Sequence, residues 1–351
     1  MSTSDSSNPE YVTARVRSRR AKLYDEDEYR DLVRMGPGGI ARYMEENEYG
    51  REINQLGARH AGVDLIEYAL NRNLAKHFDD LLRFAEGPLY RRIAAYLRKF
   101  DAWNIKTVLR GLYSDASSEA IETDLIRAGE FDDDLVEQLL AAASIEDVVE
   151  ILQQTVFGPP LSAALSEYEQ HDSLIPLENA VDRTFYENLL SDVQTRETDE
   201  PTELYVEFLQ AEIDFRNLRN ALRLARSGVD LDPAEYHIQG GRLFSATELS
   251  AIQSNREELI NRVRESPYGD RLEAALDELE SAESLLAFEN AVEAALLEYS
   301  DRLSHLYPLS VAPVLAYILA KEREVNSIRA IARGKEAGLD PEQIERELVI
   351  V

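Results

Sequence analysis

Residues Glu324–Gly334 read EVNSIRAIARG, and two other stretches share their skeleton: DAWNIKTVLRG at Asp101–Gly111 and DFRNLRNALRL at Asp214–Leu224. Each has an acid, two residues, Asn or Ser, Ile or Leu, a base, one residue, an apolar residue, one residue and then Arg. The acids at 101, 214 and 324 stand 113 and 110 residues apart. Alone, so short a match has little weight, because helical patterns recur by chance. Two further markers keep the same order and period, and such self-similarity decides an architecture. EYALNRNL at Glu67, ENAVDRTF at Glu178 and ENAVEAAL at Glu289 are 111 residues apart both times. The aromatic-glycine pairs Tyr49-Gly50, Phe157-Gly158 and Tyr268-Gly269 have glycines 108 and 111 apart. The chain therefore reads as three tandem copies, 1–113, 114–228 and 229–351, with residues 1–9 a disordered polar leader.

The fold class follows from the spacing of apolar residues. In LYRRIAAYLRKF, Leu89, Ile93, Tyr96, Leu97 and Phe100 fall on one helical stripe with arginines opposite, and alternating strand-like runs are scarce. The class is all-α. Three duplicated helical units stack as a superhelix or close around a pseudo-threefold axis, and spacing alone permits both. The glycine of each aromatic-glycine pair is expected in the left-handed position that ends a helix. Gly338 reads as a helix stop, followed by Asp340 as N-cap, Pro341 at N1 and Gln343 completing a capping box.

Sixty-seven acidic and 38 basic residues give a formal charge of −29, a field that repels nucleic acid and anionic lipid. Lysine occurs only at Lys22, Lys76, Lys99, Lys106, Lys321 and Lys335, and the acids are spread along the whole chain. Such a surface suits a salt-loving cytoplasm, where screening acts over about 3 Å at 1 M salt. With no cysteine, disulfides, thiolate metal sites and cysteine nucleophiles are excluded. The leader lacks the apolar core of a signal peptide, and the longest apolar run, Leu309–Ala320, falls short of the ~20 residues that span a bilayer. A soluble, cytoplasmic protein is expected.

The candidate functional residues are bases four apart in each copy: Lys106 and Arg110, Arg219 and Arg223, Arg329 and Arg333. That spacing puts each pair on one helix face. One reading has them pin helices within a unit by pairing with acids such as Glu67, Glu178 and Glu289; the other has three stripes line a common surface that receives a partner. Enzyme readings are weaker. Asp79-Asp80 and Asp132–Asp134 occupy different places in their copies, and a magnesium site needs carboxylates that converge. His60, His77, His171, His237 and His305 lack ligand spacing, and MGPGGI at Met35 lacks the Lys-Ser/Thr ending of a phosphate loop. Gly334-Lys335 fails the same test, being followed by Glu336. No catalytic residue, metal or cofactor is expected.

FDAWNIKTVLRG, ENAVDRTFYENLL, EIDFRNLRNALRL and the stretch from Pro313, PVLAYILAKEREVNSIRAIARGKEAGLDPEQIERELVIV, resemble the C subunit of archaeal A-type (V-type-like) ATP synthases, a relative of the d subunit of vacuolar ATPases. The resemblance runs from about Tyr11 to Val351. It implies a funnel-shaped protein of three similar helical domains around a pseudo-threefold axis. It also implies a non-catalytic central-stalk subunit on the cytoplasmic face of the membrane, which links the rotor ring proteolipid to the central-shaft subunits. Under that resemblance, Lys106, Arg110, Arg219, Arg223, Arg329 and Arg333 are the expected shaft-binding residues. The alternative from another class is a free-standing helical scaffold that binds a regulatory protein. Ser327 departs from the family pattern, which has Asn there, as Asn104 and Asn217 do in the other copies.

Overall fold

A computed structural model describes residues 7–194, 200–227, 231–252, 256–266, 268–281 and 285–347. Among these, the regular elements are all helices and no strand occurs, as the helical spacing predicts. Of the expected leader, residues up to Ser6 lie outside the described ones. Ser7 and Asn8 are held in place rather than loose. The Ser7 hydroxyl accepts from the Leu89 N–H, and the Asn8 amide donates to the Phe84 carbonyl while accepting from the Glu86 N–H. A proline then opens the helix Pro9–Arg20, where its missing N–H costs no bond.

The chain forms two compact units: residues 1–104, 117–133 and 300–351 in one, and residues 105–116 and 134–299 in the other. At the centre of the first unit is the helix Ala312–Glu336, which packs against Gly62–Phe84, Pro9–Arg20, Glu26–Arg34 and Pro37–Glu45. Its first two turns, Ala312 to Ile318, are buried on every side. The longest apolar run of the sequence is thus a core helix, apolar all round because it is surrounded all round. Among the described residues no helix is long and apolar enough to cross a membrane.

In the second unit the helix Gly158–His171 turns back through Asp172, at φ 48°, onto Ile175–Gln194, which packs in turn on Glu200–Ser227. Phe215, Leu218 and Leu222 of that long helix join Phe244, Ile260 and Leu276 in a further buried core.

The aromatic-glycine pairs differ from expectation. Gly50, Gly158 and Gly269 each begin a helix, and none has a positive φ. Glycine is required at these positions by a close approach. A Cβ would stand 2.3 Å from the Glu45 carbonyl oxygen, 2.4 Å from that of Leu152 and 1.9 Å from that of Arg264. Each glycine N–H also closes the same turn, onto Asn47, Thr155 and Ser266. What recurs is a tight helix-to-helix corner in which the outgoing chain touches the incoming one. The expected stop at Gly338 is found, with φ 76°, and Leu339 N–H reaches the Gly334 carbonyl to close the end of Ala312–Glu336.

His77 lies at the packing of Gly62–Phe84 on Ala312–Glu336, buried and hydrogen-bonded through Nδ1 with the Tyr317 hydroxyl. Burial, with Lys321, Arg19 and Lys76 nearby, pushes its pKa down from 6.5 to about 3. The unfolded chain protonates there near pH 6.5 while the folded chain does not, so this group lowers stability as pH falls through that window, by on the order of 1 kcal/mol per pH unit. His77→Gln should flatten the acid limb between pH 6.5 and 4 in urea unfolding. Parallel limbs for the two proteins would contradict this.

Candidate functional site

The acid heading each of the three similar stretches is buried and holds a chain segment distant in sequence. Asp101, 2% exposed, accepts through one oxygen from the Glu130 N–H (2.8 Å) and through the other from the Phe131 N–H (3.0 Å). Asp214 accepts through a single oxygen from the Arg242 and Leu243 N–H groups (2.8 and 2.9 Å). Its second oxygen has no hydrogen-bond partner among the described residues. Glu324, one methylene longer, accepts from the Tyr24 N–H (2.6 Å), the Tyr49 hydroxyl (2.6 Å) and Lys321 Nζ (2.7 Å). Gly129 and Gly241 make room for the two aspartates, since a Cβ on either would stand 2.0 or 2.2 Å from the carboxylate. Burial pushes the Asp101 carboxyl up to about 6 and raises that of Asp214, against the pull of the backbone donors.

Three residues beyond each aspartate, an asparagine side chain replaces a strand partner. Asn104 donates to the Ile126 carbonyl (2.8 Å) and accepts from its N–H (2.9 Å); Asn217 does the same with Ile238, both bonds at 2.8 Å. Ile126 lies five residues before Phe131, and Ile238 five before Leu243. Five before Tyr24 is Arg19, which lies in the helix Pro9–Arg20. Its backbone groups are already in helical bonding, so Ser327 has no extended segment to serve.

The basic pairs make a registered seam with the Glu67 and Glu178 markers. Arg110 pairs with Glu178, and Lys106, four residues earlier, pairs with Asp182, four residues later (2.5 Å). Arg333 pairs with Glu67, and Arg329 reaches Asn71 (2.5 Å), the counterpart of Asp182. Two antiparallel helices with i, i+4 spacing give this crossed pairing naturally. Within a seam the two positions differ: Lys106 is 7% exposed and Asp182 6%, whereas the side chains of Arg110 and Arg333 remain 45% and 50% exposed. Burial alone would raise the Asp182 carboxyl, but Arg216 (3.6 Å) and Lys106 hold it below its ordinary value. Arg219 is half-buried and Arg223 exposed, in line with their counterparts. The side chain of Glu289 lies outside the described residues.

Sequence reasoning missed Asp182, Asn71, Tyr49 and Lys321. The signal for the first two was present, since both markers carry polar residues at i and i+4. No local pattern marks Lys321, which is 1% exposed and lies 4.2 Å above the Tyr49 ring while bonding Glu324. Among the described residues no group of acids and histidines is arranged to hold a metal ion. Asp133 pairs with Arg127 at the start of the helix Asp133–Leu140, and Asp80 pairs with Arg19 and Arg83.

A helical chain whose buried charges pin its own helices to one another is a protein of the structural class. It belongs to the ATP synthase (C/AC39) subunit family, whose model matches residues 12–347. It is 63% identical over 351 residues to the A-type ATP synthase C subunit of Haloferax volcanii, with both chains fully covered. It is 56% identical to that of Halobacterium salinarum, again with full coverage. It is 36% identical over 348 residues to that of Methanosarcina barkeri, covering 98% of this chain and 94% of the relative.

Two stability outcomes follow. Asp101→Asn turns an amide N–H₂ toward one backbone donor and should cost about 1–3 kcal/mol, whereas Asp214→Asn keeps its one working oxygen and should cost under ~1 kcal/mol. Equal shifts in urea midpoint would contradict the geometry. Lys106→Met leaves Asp182 buried without its nearest charge and should cost roughly 2–4 kcal/mol, partly recovered by adding Asp182→Leu, which still leaves Arg216 without its carboxylate. Arg110→Ala should cost no more than about 1 kcal/mol. A double variant as unstable as Lys106→Met would refute the buried-pair account.

Proposed function

We propose that this chain is the central-stalk subunit of a rotary A-type ATP synthase. It sits at the cytoplasmic face of the membrane, links the rotor ring proteolipid to the central-shaft subunits and transmits torque without catalytic residues of its own. The observation that carries this reading is the family match across residues 12–347, together with full-length relatives that are C subunits of A-type ATP synthases. The resemblance read from the sequence supplies the finer role. Its copies, 1–113, 114–228 and 229–351, are assigned to three domains around a pseudo-threefold axis.

The seams support a torque-bearing role. A subunit that passes rotation must resist shear between its own parts, and buried charge pairs, directional and costly to break, oppose sliding better than apolar contact does. Of the six candidate shaft-binding residues, Lys106 and Arg329 bond Asp182 and Asn71 in the seam. The outer three, Arg110, Arg223 and Arg333, present an exposed guanidinium edge to an acidic stretch of the shaft.

The test is reconstitution in molar salt. The purified chain should co-purify with the shaft subunits and with detergent-solubilised rotor ring. Arg110→Glu with Arg333→Glu should weaken shaft capture by roughly tenfold or more while helicity is unchanged. No capture of either partner by the unmodified chain would overturn the assignment. Unaltered shaft capture by the double variant would remove the outer arginines from the interface.

A further inference from the structure

The second unit contains a cavity whose lining is basic in a chain that is acidic. Four bases, Lys106, Arg110, Arg216 and Arg223, stand around it with two acids, Glu178 and Asp182, whereas the chain as a whole has 38 bases and 67 acids. The cavity gives the centres of water-sized molecules about 40 Å³, a few times the roughly 10–15 Å³ that one water needs. That is room for an ion of a few heavy atoms rather than for a nucleotide.

Three polar groups facing this space are donors short of acceptors. The Lys106 ammonium, 7% exposed, has three N–H groups and, among the described residues, one hydrogen bond, to Asp182 (2.5 Å). The Arg216 guanidinium has five N–H groups. Among the described residues its contacts are a long 3.5 Å bond to the Tyr186 hydroxyl, whose ring it overlies at 5.7 Å, and a 3.6 Å approach to the second Asp182 oxygen. The half-buried Asn220 amide makes no hydrogen bond among the described residues. Each acid of the lining already has a base against it, Lys106 on Asp182 and Arg110 on Glu178. Buried donors without acceptors are costly, and the one acceptor that serves all three at once is an anion. The pattern shared by the three similar stretches does not call for these groups. The places of Arg216 and Asn220 are held by Trp103 and Thr107 in the first stretch and by Asn326 and Ala330 in the third.

We infer that the second unit binds a small oxyanion, inorganic phosphate or sulfate, with the Arg216 fork on two of its oxygens, Lys106 and Asn220 on the others, and the more exposed Arg110 and Arg223 at the mouth. Four bases less two acids leave the lining with two positive charges, which matches a dianion. A planar guanidinium grips two oxygens of a tetrahedral anion, whereas a spherical halide offers it a single point. Burial lowers the Lys106 pKa in spite of Asp182, and a second anion beside the ammonium offsets that loss. The anion joins the helix stretches that carry Lys106, Asp182 and Arg216. The inference goes beyond the proposed function, and its test needs no partner subunit.

The test titrates the purified full chain, in molar potassium gluconate, with inorganic phosphate, sulfate and chloride in turn, by calorimetry and by thermal unfolding. The parent should bind phosphate and sulfate at one site per chain, and its unfolding midpoint should rise with their concentration as binding to the native state requires. Both oxyanions also stabilise folded proteins by exclusion from the surface, an effect every variant shares, so the difference between parent and variant is what is read. Arg216→Lys keeps a charge beside Asp182 but removes the fork, and should weaken phosphate binding by roughly tenfold or more. Asn220→Asp sets a tethered carboxylate against Lys106 and Arg216. It should abolish phosphate binding while leaving the phosphate-free midpoint at or above the parent's. No calorimetric binding by the folded parent would overturn the inference, as would phosphate affinity equal to the parent's in either folded variant. Chloride bound as tightly as phosphate would overturn the oxyanion assignment.

Discussion

A carboxylate withdrawn from water and aimed at backbone N–H groups of an incoming chain segment is the interaction on which this structure depends. An ion with so little solvent is tolerated only where fixed donors replace the lost hydration, and the donors here come from a different stretch of chain each time. Asp101 takes residues 130–131, Asp214 takes 242–243 and Glu324 takes Tyr24. The carboxylate fixes where a distant segment enters; the asparagine above it fixes register, and the i, i+4 seam below fixes the crossing of the helices. Each of these would have little meaning without the first.

The class of fold was legible because helical spacing survives in almost every segment. What could not be read was which stretch each marker pairs with. Glu178 and Lys106–Arg110 resemble parts of separate units, and only the folded chain pairs them, because an ion pair leaves no trace of its partner's position in the sequence. The aromatic-glycine pairs show the same limit. Their recurrence was visible, but a glycine needed for a left-handed φ and one needed for a carbonyl 2.3 Å away are the same letter. Ser327 was visible as a departure, and its reason lay in a helix more than 300 residues earlier, where the backbone has no group left to bind.

The candidate stripes illustrate how one pattern serves two ends. Read as a face, the paired bases suggest a surface for a partner. In the structure two of the pairs divide, Lys106 and Arg329 turning into the seam and Arg110 and Arg333 remaining half in solvent, a division set by helix phase and not by residue type. The same economy governs lysine. Of only six in the chain, Lys106 and Lys321 are buried against carboxylates, where a compact ammonium on a flexible stem reaches a single oxygen that a guanidinium fork would overfill.

The bond from Glu324 to the Tyr24 N–H spans 300 residues. The helix that carries Glu324 is also the one around which the first unit packs, so that unit keeps an empty centre until nearly the whole chain has left the ribosome. The second unit draws only on residues up to Tyr299 and is complete earlier. Contacts of such long separation close slowly. The amino-terminal helices, made first, are therefore among the last to be buried, and their apolar faces wait in solvent for the length of synthesis.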